Sequence, residues 1–286
     1  MEVAQETVSR ELAAVETTAG KTNEEDLGPV DVGMVFALSM EAGGVIDRMT
    51  ERRTTKGNGF RFHTGLFEGR RVALVEAGIG REKAGAAAEA LWNVFRPYRI
   101  LTAGYAGGLS SSLKRYEVFV PRRFIRAADG SILEDILDVF SPEATASCDD
   151  ANDSPSLTLV TCDRVVRTTA EKRKLHDTFC ADLVDMETWA VVEFCARKEI
   201  PCLALRIVLD TADEELSKEV SRIADPNIGT ARMLGSVVSA LWRKPSSLLD
   251  LYQLKERALI ATDRLADRIA ELLQENGTLR SEQFTE

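Results

Sequence analysis

The sequence predicts an α/β protein, and three observations lead to this prediction. Residues 32–38 and 201–210 are nearly continuous apolar runs of strand length, which is typical of strands covered on both faces of a sheet. Segments with helical character follow the first run and precede the second. The chain has 286 residues and is 44% hydrophobic, which is ordinary globular usage and long enough for one domain of about 210 to 250 residues.

The first apolar run leads directly into a predicted helix, whose opening turn is residues 39–42. This arrangement places Glu41 at the end of a strand, where the chain turns into the helix. In open α/β sheets, ligand crevices form at the carboxyl ends of the strands. Glu41 is therefore a candidate site residue.

Two glycine turns follow, at residues 78–80 and 107–108. Glycine lacks a side chain, so the backbone can pass close to a ligand and offer N–H donors to ribose oxygens or phosphate. Simple strand-to-helix turns are the alternative interpretation. We treat Gly80 and Gly107 as candidate ligand-binding residues.

More acids lie in the second half of the chain. Asp185 and Glu187 flank Met186 and are predicted to open an otherwise apolar helix. Asp210 ends the run 201–210, and an acid at the end of a buried strand avoids the core by facing a pocket or a polar partner. Alternatively, Asp210 caps the turn that follows it. Together with Glu41, these acids predict a site that uses carboxylates.

The chain is predicted to divide into one main domain and three flanking segments. Residues 1–28 are acidic and are expected to form a mobile extension, with a fraying helix around 8–15 as the alternative. The domain spans residues 29–243, a helical extension spans 244–275, and a flexible tail spans 276–286.

Three segments of this plan have a distinct character. Residues 149–155 form a polar stretch, which is interpreted either as a cover over the site or as a surface loop. An apolar helix is predicted from about residue 230 to 242, and a long amphipathic helix from about 247 to 273, after a break at Lys244 and Pro245.

Charge and composition exclude several classes of protein. The formal net charge of -10 argues against a nucleic-acid partner, which would need clustered cations. No apolar run reaches the roughly 20 residues that span a bilayer, and residues 1–28 lack the features of a signal peptide, so a cytoplasmic location is expected. The five cysteines show no Cys-x-x-Cys spacing, and with His63 and His176 as the sole histidines no zinc site is expected.

Four segments in order resemble a known family. They are residues 37–41, the glycine turns within 76–80 and 103–109, residues 185–187, and residues 206–213. The chain resembles the nucleoside phosphorylase and nucleosidase superfamily, most closely its methylthioadenosine/S-adenosylhomocysteine nucleosidases. The resemblance implies a single domain with a mixed, strongly twisted central sheet flanked by helices, a small-molecule nucleoside substrate, and no metal or organic cofactor. It also implies a homodimer, with residues 91–95 or the helix near Trp242 as candidate contacts.

The resemblance assigns a role to each candidate residue. Asp210 would protonate the purine at N7, Glu41 would hold and activate the attacking water, and Glu187 would bind the ribose hydroxyls. Carboxylates suit this chemistry because breaking an N-glycosidic bond develops positive charge on the ribose and negative charge on the base. The other residues implied to contact substrate are Met186, Gly80, Gly107, Val165 and Val166.

The chain departs from the family's pattern at four positions. Leu209 replaces the serine usually found before the catalytic Asp, and Asp185 replaces a glutamate. Val165 stands where an aromatic residue usually stacks on the base, and Tyr105 replaces a small residue. These departures predict a reshaped base pocket and remove a hydroxyl that would support Asp210.

Two alternatives to nucleoside hydrolysis stay open. Phosphorolysis would need cations at an anion site, and Arg81, with Arg122 and Arg123, could provide them, although surface arginines are the simpler interpretation. The turn 243–245 and the segment 248–251 resemble hopanoid-associated phosphorylases, which suggests an adenosyl group on a lipid as the substrate. The other alternative is a nucleoside-binding protein without catalysis. Glu41 favours hydrolysis, because a carboxylate beside the attacking atom would repel phosphate.

Overall fold

The computed structural model describes residues 30–134, 157–216 and 246–275, with side chains of the last segment described over 256–274. Its strands are β1 Val32–Phe36, β2 Thr50–Gly57, β3 Phe60–Phe67, β4 Arg70–Glu76, β5 Arg99–Gly108, β6 Val118–Phe119, β7 Arg123–Arg126, β8 Ile132–Leu133, β9 Thr158–Thr161, β10 Leu183–Asp185 and β11 Cys202–Asp210. The helices are α1 Ser39–Arg48, α2 Arg81–Phe95, α3 Thr169–Phe179, α4 Thr188–Lys198 and α5 Ser246–Glu275.

The described strands form one mixed sheet, which confirms the predicted fold class. Its order is β2-β3-β4-β1-β5-β10-β9-β7-β8, with β11 paired to β5 and β6 paired to β11. Strands β4, β1, β5 and β11 pair in parallel, whereas β2, β3 and β4 form antiparallel hairpins. The sheet branches at β5, which pairs with β11 over most of its length, with β1 over its first residues and, antiparallel, with β10 over its last residues. The end of β5 is therefore surrounded by the ends of β10 and β11.

Helices cover both faces of this sheet. Side chains alternate along a strand, so neighbouring residues of β1 reach opposite layers. Val35 packs with Leu91 of α2 in one apolar cluster, and Met34 packs with Leu265 of α5 in the other. Helices α1 and α5 approach closely at Gly44, where an added Cβ would lie 2.8 Å from the carbonyl oxygen of Thr262. Helix α5 is therefore part of the core beside α1.

One local prediction is wrong. Asp185 does not open a helix, because it is the last residue of β10, and helix α4 begins at Thr188 with Glu187 as its N-cap residue. The side chain of Asp185 is buried in the sheet and hydrogen-bonded there. Asp185 thus ends a strand and Glu187 caps a helix, so their side chains contact different partners.

Several predicted segments lie outside the described residues. They are the extension at 1–28, the polar stretch 149–155, the apolar helix near 230–242, the break at Lys244 and Pro245, and the tail 276–286. Across the described ranges, no helix combines the length and apolar character needed to cross a membrane. Within the same ranges, no cluster of three or more His, Cys, Asp or Glu side chains is arranged to hold a metal ion.

Candidate functional site

Glu41 is held rigidly at the start of α1. Its Oε2 accepts a hydrogen bond from the backbone N–H of Leu38 at 2.8 Å, which completes the cap of the helix that Glu41 itself belongs to. Its Oε1 accepts from the N–H of Tyr105 on β5, also at 2.8 Å. A Cβ added to Gly104 would lie 2.7 Å from Oε1, so the glycine makes the room for this carboxylate.

Glu187 comes from the other side of the sheet and ends close to Glu41. Its Oε1 accepts from the backbone N–H of Gly80 at 2.7 Å, and its Oε2 accepts from the N–H of Met186 at 3.3 Å. Gly80 is the N-cap residue of α2 and has φ of 104°, a conformation that favours glycine. The N–H of Gly80, predicted to contact a ligand, therefore serves to fix Glu187.

A small cavity lies between the two carboxylates. Its volume is about 10 Å³, which corresponds to the space of about one water molecule. Glu41, Glu187, Thr102 and Arg206 give it polar walls, and its remaining lining comes from Val35, Ala37, Ala84, Ala103, Gly104 and Tyr105. The arrangement can hold one small polar molecule against two acids and a guanidinium group.

Arg206 is a residue of this cavity that was not assigned a role from the sequence. It lies in the middle of the apolar strand β11 and is 2% exposed. Its Nε lies 3.0 Å from Oδ2 of Asp185, and its Nη2 donates to the hydroxyl of Thr102 at 2.9 Å. An arginine inside an otherwise apolar run was the available signal, because a buried charge needs a partner.

Asp185 holds Arg206 in place. Its Oδ1 accepts from the hydroxyl of Thr161 at 2.7 Å, and its Oδ2 accepts from both the N–H and the hydroxyl of Thr188. Both carboxylate oxygens are thus saturated by buried donors from β9, α4 and β11. Asp185 supports the cavity wall without lining it.

The surroundings of the two glutamates favour their protonated forms. Burial raises the pKa of Glu41 above its usual range. Burial, together with the negative charges of Asp185 and Glu41, raises the pKa of Glu187 to about 8. Two acids that face each other across a small cavity favour sharing a proton, so this site can accept a proton from a bound water.

Asp210 lies at the end of β11, where the sheet is irregular. The register between β11 and β5 shifts between Val208 and Asp210, and such bulges re-aim a side chain. A Cβ added to Gly107 would lie 3.3 Å from Oδ2 of Asp210, so this carboxylate lies against β5 as Glu41 does. Gly104 and Gly107 are roughly 10 Å apart along an extended strand. Both acids therefore belong to the same end of the sheet.

The partner of Asp210 is Lys172, which sequence reasoning missed. The Lys172 ammonium lies 2.5 Å from Oδ2 of Asp210, and the lysine side chain is fully buried. Burial raises the pKa of Asp210, and the charge of Lys172 opposes this increase. Spacing was the available signal that Lys172 is buried. It shares one face of α3 with Leu175 and Phe179, which pack into an apolar cluster.

The remaining candidates are placed as follows. Met186 and Val166 are buried, and Val165 is half-buried in the segment before α3. Val166 packs with Leu109 and Val184 in an apolar cluster. Arg81 opens α2 and its Nε lies 3.0 Å from Oδ1 of Asp163.

Comparisons with known proteins identify the family and the fold of this chain. The chain matches the phosphorylase superfamily over residues 31–236 and belongs to it. The fold is similar to that of a methylthioadenosine nucleosidase mutant from Helicobacter pylori crystallised with 5′-methylthioadenosine, with a TM-score of 0.64, 16% identity, and coverage of 87% of this chain and 100% of that one.

Two further structures show the same fold. Futalosine hydrolase of Helicobacter pylori has a TM-score of 0.64 and 17% identity, covering 86% of this chain and 98% of that one. The 5′-methylthioadenosine/S-adenosylhomocysteine nucleosidase of Neisseria meningitidis, in complex with methylthio-immucillin-A, has a TM-score of 0.63 and 19% identity, covering 86% and 99%. These similarities establish a shared architecture across nearly the whole length of each relative.

Proposed function

We propose that this protein hydrolyses the N-glycosidic bond of an adenine nucleoside of the methylthioadenosine or S-adenosylhomocysteine type and releases adenine. The observation that carries the proposal is the cavity of about 10 Å³ between Glu41, Glu187 and Arg206. It has the size of one water and is bounded by two acids, which suits a site that prepares a water for attack.

Each acid has a step in this reaction. Water held in the cavity attacks C1′ of the ribose while Glu41 accepts its proton. The bond from C1′ to N9 breaks and its electron pair leaves with the base, which receives a proton at N7 from Asp210. Glu187 binds a ribose hydroxyl beside Met186. The negative charge that Glu41 and Glu187 carry between them when they share one proton stabilises the positive charge that develops on the sugar.

Several contacts support hydrolysis over phosphorolysis. A phosphate in the cavity would meet the two carboxylates at close range, which is unfavourable. Arg206, the cation of the cavity wall, is engaged by Asp185 and Thr102. The arginines considered for phosphate have acidic neighbours, because Arg81 pairs with Asp163 and Arg123 pairs with Glu134.

The base and the 5′ group are the variable parts of this proposal. The relatives include a nucleosidase bound to 5′-methylthioadenosine and a futalosine hydrolase, so futalosine belongs in the substrate panel. Val165 offers a smaller surface to the base than an aromatic ring would. An adenosyl lipid remains the alternative substrate, to be acted on by phosphorolysis, and binding without turnover remains the other alternative.

The proposal includes a homodimer that acts in the cytoplasm. Helix α2 supports the dimer because Val94 is 53% exposed on its surface and Trp92 and Phe95 are partly buried beside it. Such a patch of large apolar side chains is typical of a protein–protein contact. Size-exclusion chromatography with light scattering, on the protein and on Val94→Asp, tests this part.

Base release from four nucleosides tests the activity. Methylthioadenosine, S-adenosylhomocysteine, adenosine and futalosine are each incubated with the purified protein, with and without phosphate, and the released base is quantified. The proposal expects release without phosphate, and little or none from Asp210→Asn. Release that requires phosphate would assign a phosphorylase, and binding of the nucleosides without release would assign a binding protein.

A further inference from the structure

Lys172 is the one charged side chain that the described part of α3 buries completely. The helix starts with a capping box between Thr168 and Glu171, which fixes its phase and turns the next residue inward. An isolated lysine is costly to bury, so its ammonium group must be matched by partners. Its surroundings therefore indicate what it does.

Three oxygens surround the ammonium group of Lys172. They are Oδ2 of Asp210 at 2.5 Å, the carbonyl oxygen of Thr211, and the carbonyl oxygen of Glu214 at 2.9 Å. The two carbonyl oxygens accept hydrogen bonds from the ammonium group, and the carboxylate of Asp210 forms an ion pair with it, so protein oxygens surround all three of its protons. Lys172 therefore has no donor left for a substrate, and any effect on the reaction must pass through Asp210 and the segment after β11.

The other charged side chains near Asp210 pair with one another. Arg115 and Glu214 both act on Asp210, and they form an ion pair with each other. Arg257 of α5 lies 3.8 Å from the same carboxylate of Glu214. The residue before Asp210 is Leu209, whose side chain has no hydrogen-bond donor. Among the residues that the structure describes, the ammonium of Lys172 is the cation that contacts Asp210 directly.

We propose that Lys172 is a positioning residue that strengthens Asp210 as an acid by stabilising the carboxylate left behind when its proton moves to the leaving base. This inference rests on the proposed nucleoside hydrolysis. The ammonium keeps its three protons throughout. Asp210 transfers one proton to N7 of the base, and solvent returns a proton to Asp210 after the base departs.

The geometry gives Lys172 a second effect on the same residue. Its contacts with the carbonyls of Thr211 and Glu214 tie down the backbone immediately after Asp210. The N–H of Thr211 also donates to the carboxylate of Glu214 at 3.0 Å, which closes this segment on itself. Lys172 thus holds the backbone next to Asp210 in place as well as contacting its carboxylate.

Two substitutions of Lys172 separate charge from packing. Lys172→Met removes the charge and keeps the length of the side chain, whereas Lys172→Arg keeps the charge. Lys174→Met on the exposed face of α3 is the matched control. If Lys172→Met does not fold, Lys172→Gln removes the charge while keeping a donor for one of the carbonyls.

The first readout is the pH profile of kcat/KM with methylthioadenosine. Asp210 must be protonated to act, so activity falls as the pH rises through its pKa. Removing a contacting cation raises that pKa, so the falling limb should move to higher pH by about one unit or more in Lys172→Met. On the low-pH plateau kcat should fall about tenfold, because the acid is weaker, with a smaller change in KM. Lys172→Arg keeps the charge, so its falling limb should stay at the parent pH, and Lys174→Met should keep the parent profile.

The second readout does not need turnover. Carbon-13 NMR of the Asp carboxyls, with Asp210→Asn to assign the signal, follows the titration of Asp210 directly. A titration that moves upward in the neutral variant and stays in place in Lys172→Arg supports the proposal. An unmoved titration in a folded neutral variant overturns it. If the parent protein releases no base but the titration moves, the proposed hydrolysis fails while the link between Lys172 and Asp210 stands.

Discussion

Gly104→Ala tests the position of Glu41 by the smallest possible change. The added Cβ would lie 2.7 Å from Oε1 and 3.1 Å from Cδ of Glu41, below the distance that a Cβ normally tolerates. The backbone of Gly104 is not in the left-handed region, so alanine adds bulk without backbone strain. The carboxylate must move by about half an ångström or more to restore ordinary van der Waals distances.

The size of the effect of Gly104→Ala depends on the hydrogen bonds that hold the carboxylate of Glu41. Oε1 accepts from the N–H of Tyr105 and Oε2 accepts from the N–H of Leu38, both at 2.8 Å, so a shift weakens a charge-assisted hydrogen bond. We expect a loss of about 1 to 2 kcal/mol in the free energy of unfolding. A misplaced catalytic group costs more in rate, and we expect kcat to fall about 10- to 100-fold.

The assay is base release at saturating methylthioadenosine, alongside denaturant unfolding. Gly85→Ala, on helix α2, is the matched control. Its added Cβ would lie 3.4 Å from Cβ of Ala190, which is an ordinary van der Waals contact. This control should keep kcat. An unchanged kcat in Gly104→Ala would refute the placement of Glu41 at the reacting water.

Three further predictions follow from buried groups. Arg206→Met leaves the carboxylate of Asp185 buried without its cation, so urea unfolding should show a loss of about 3 to 5 kcal/mol, and the double variant with Asp185→Asn should recover part of it. The pKa of Glu187 is raised from 4.5 to about 8, so its contribution to stability is present below pH 4.5 and is lost as the pH rises through 8. Unfolding at a series of pH values should show that decline in the parent protein, and a flatter curve in Glu187→Gln. Tyr105→Phe removes the hydroxyl that bonds to Thr262 and to the carbonyl of Ala258, and should cost about 1 kcal/mol of stability with little change in kcat.

The sequence was sufficient where local pattern dictates structure. The apolar runs around Val32 and Leu205 predicted strands covered on both faces of a sheet, and the mixed sheet flanked by helices is confirmed. The positions of Glu41 just after β1 and of Asp210 at the end of β11 follow from the same reasoning, because ligand crevices form at the carboxyl ends of strands, and their catalytic roles stay predictions. The long helix after residue 246 was also visible as an amphipathic pattern, and the structure has it at Ser246–Glu275.

Pairing between distant segments could not be read from the sequence. Lys172 meets Asp210 because the first turn of α3 lies beside the end of β11 and the segment after it, and no spacing within the chain encodes that contact. The same holds for the N–H of Gly80, which is used by Glu187 rather than offered to a ligand. Asp185 was assigned to a helix because the apolar segment after it is helical, whereas the pairing of β10 with β5 and β9 extends the strand through that region.

The fate of the ribose tests the central claim most directly. Methylthioadenosine is incubated with the protein in water enriched in oxygen-18 and containing phosphate, and the sugar product is analysed by mass spectrometry. Hydrolysis gives a free sugar that carries oxygen-18 at C1′, formed at a rate independent of phosphate and lost in Asp210→Asn. A sugar 1-phosphate, with no label from water at C1′, would contradict it.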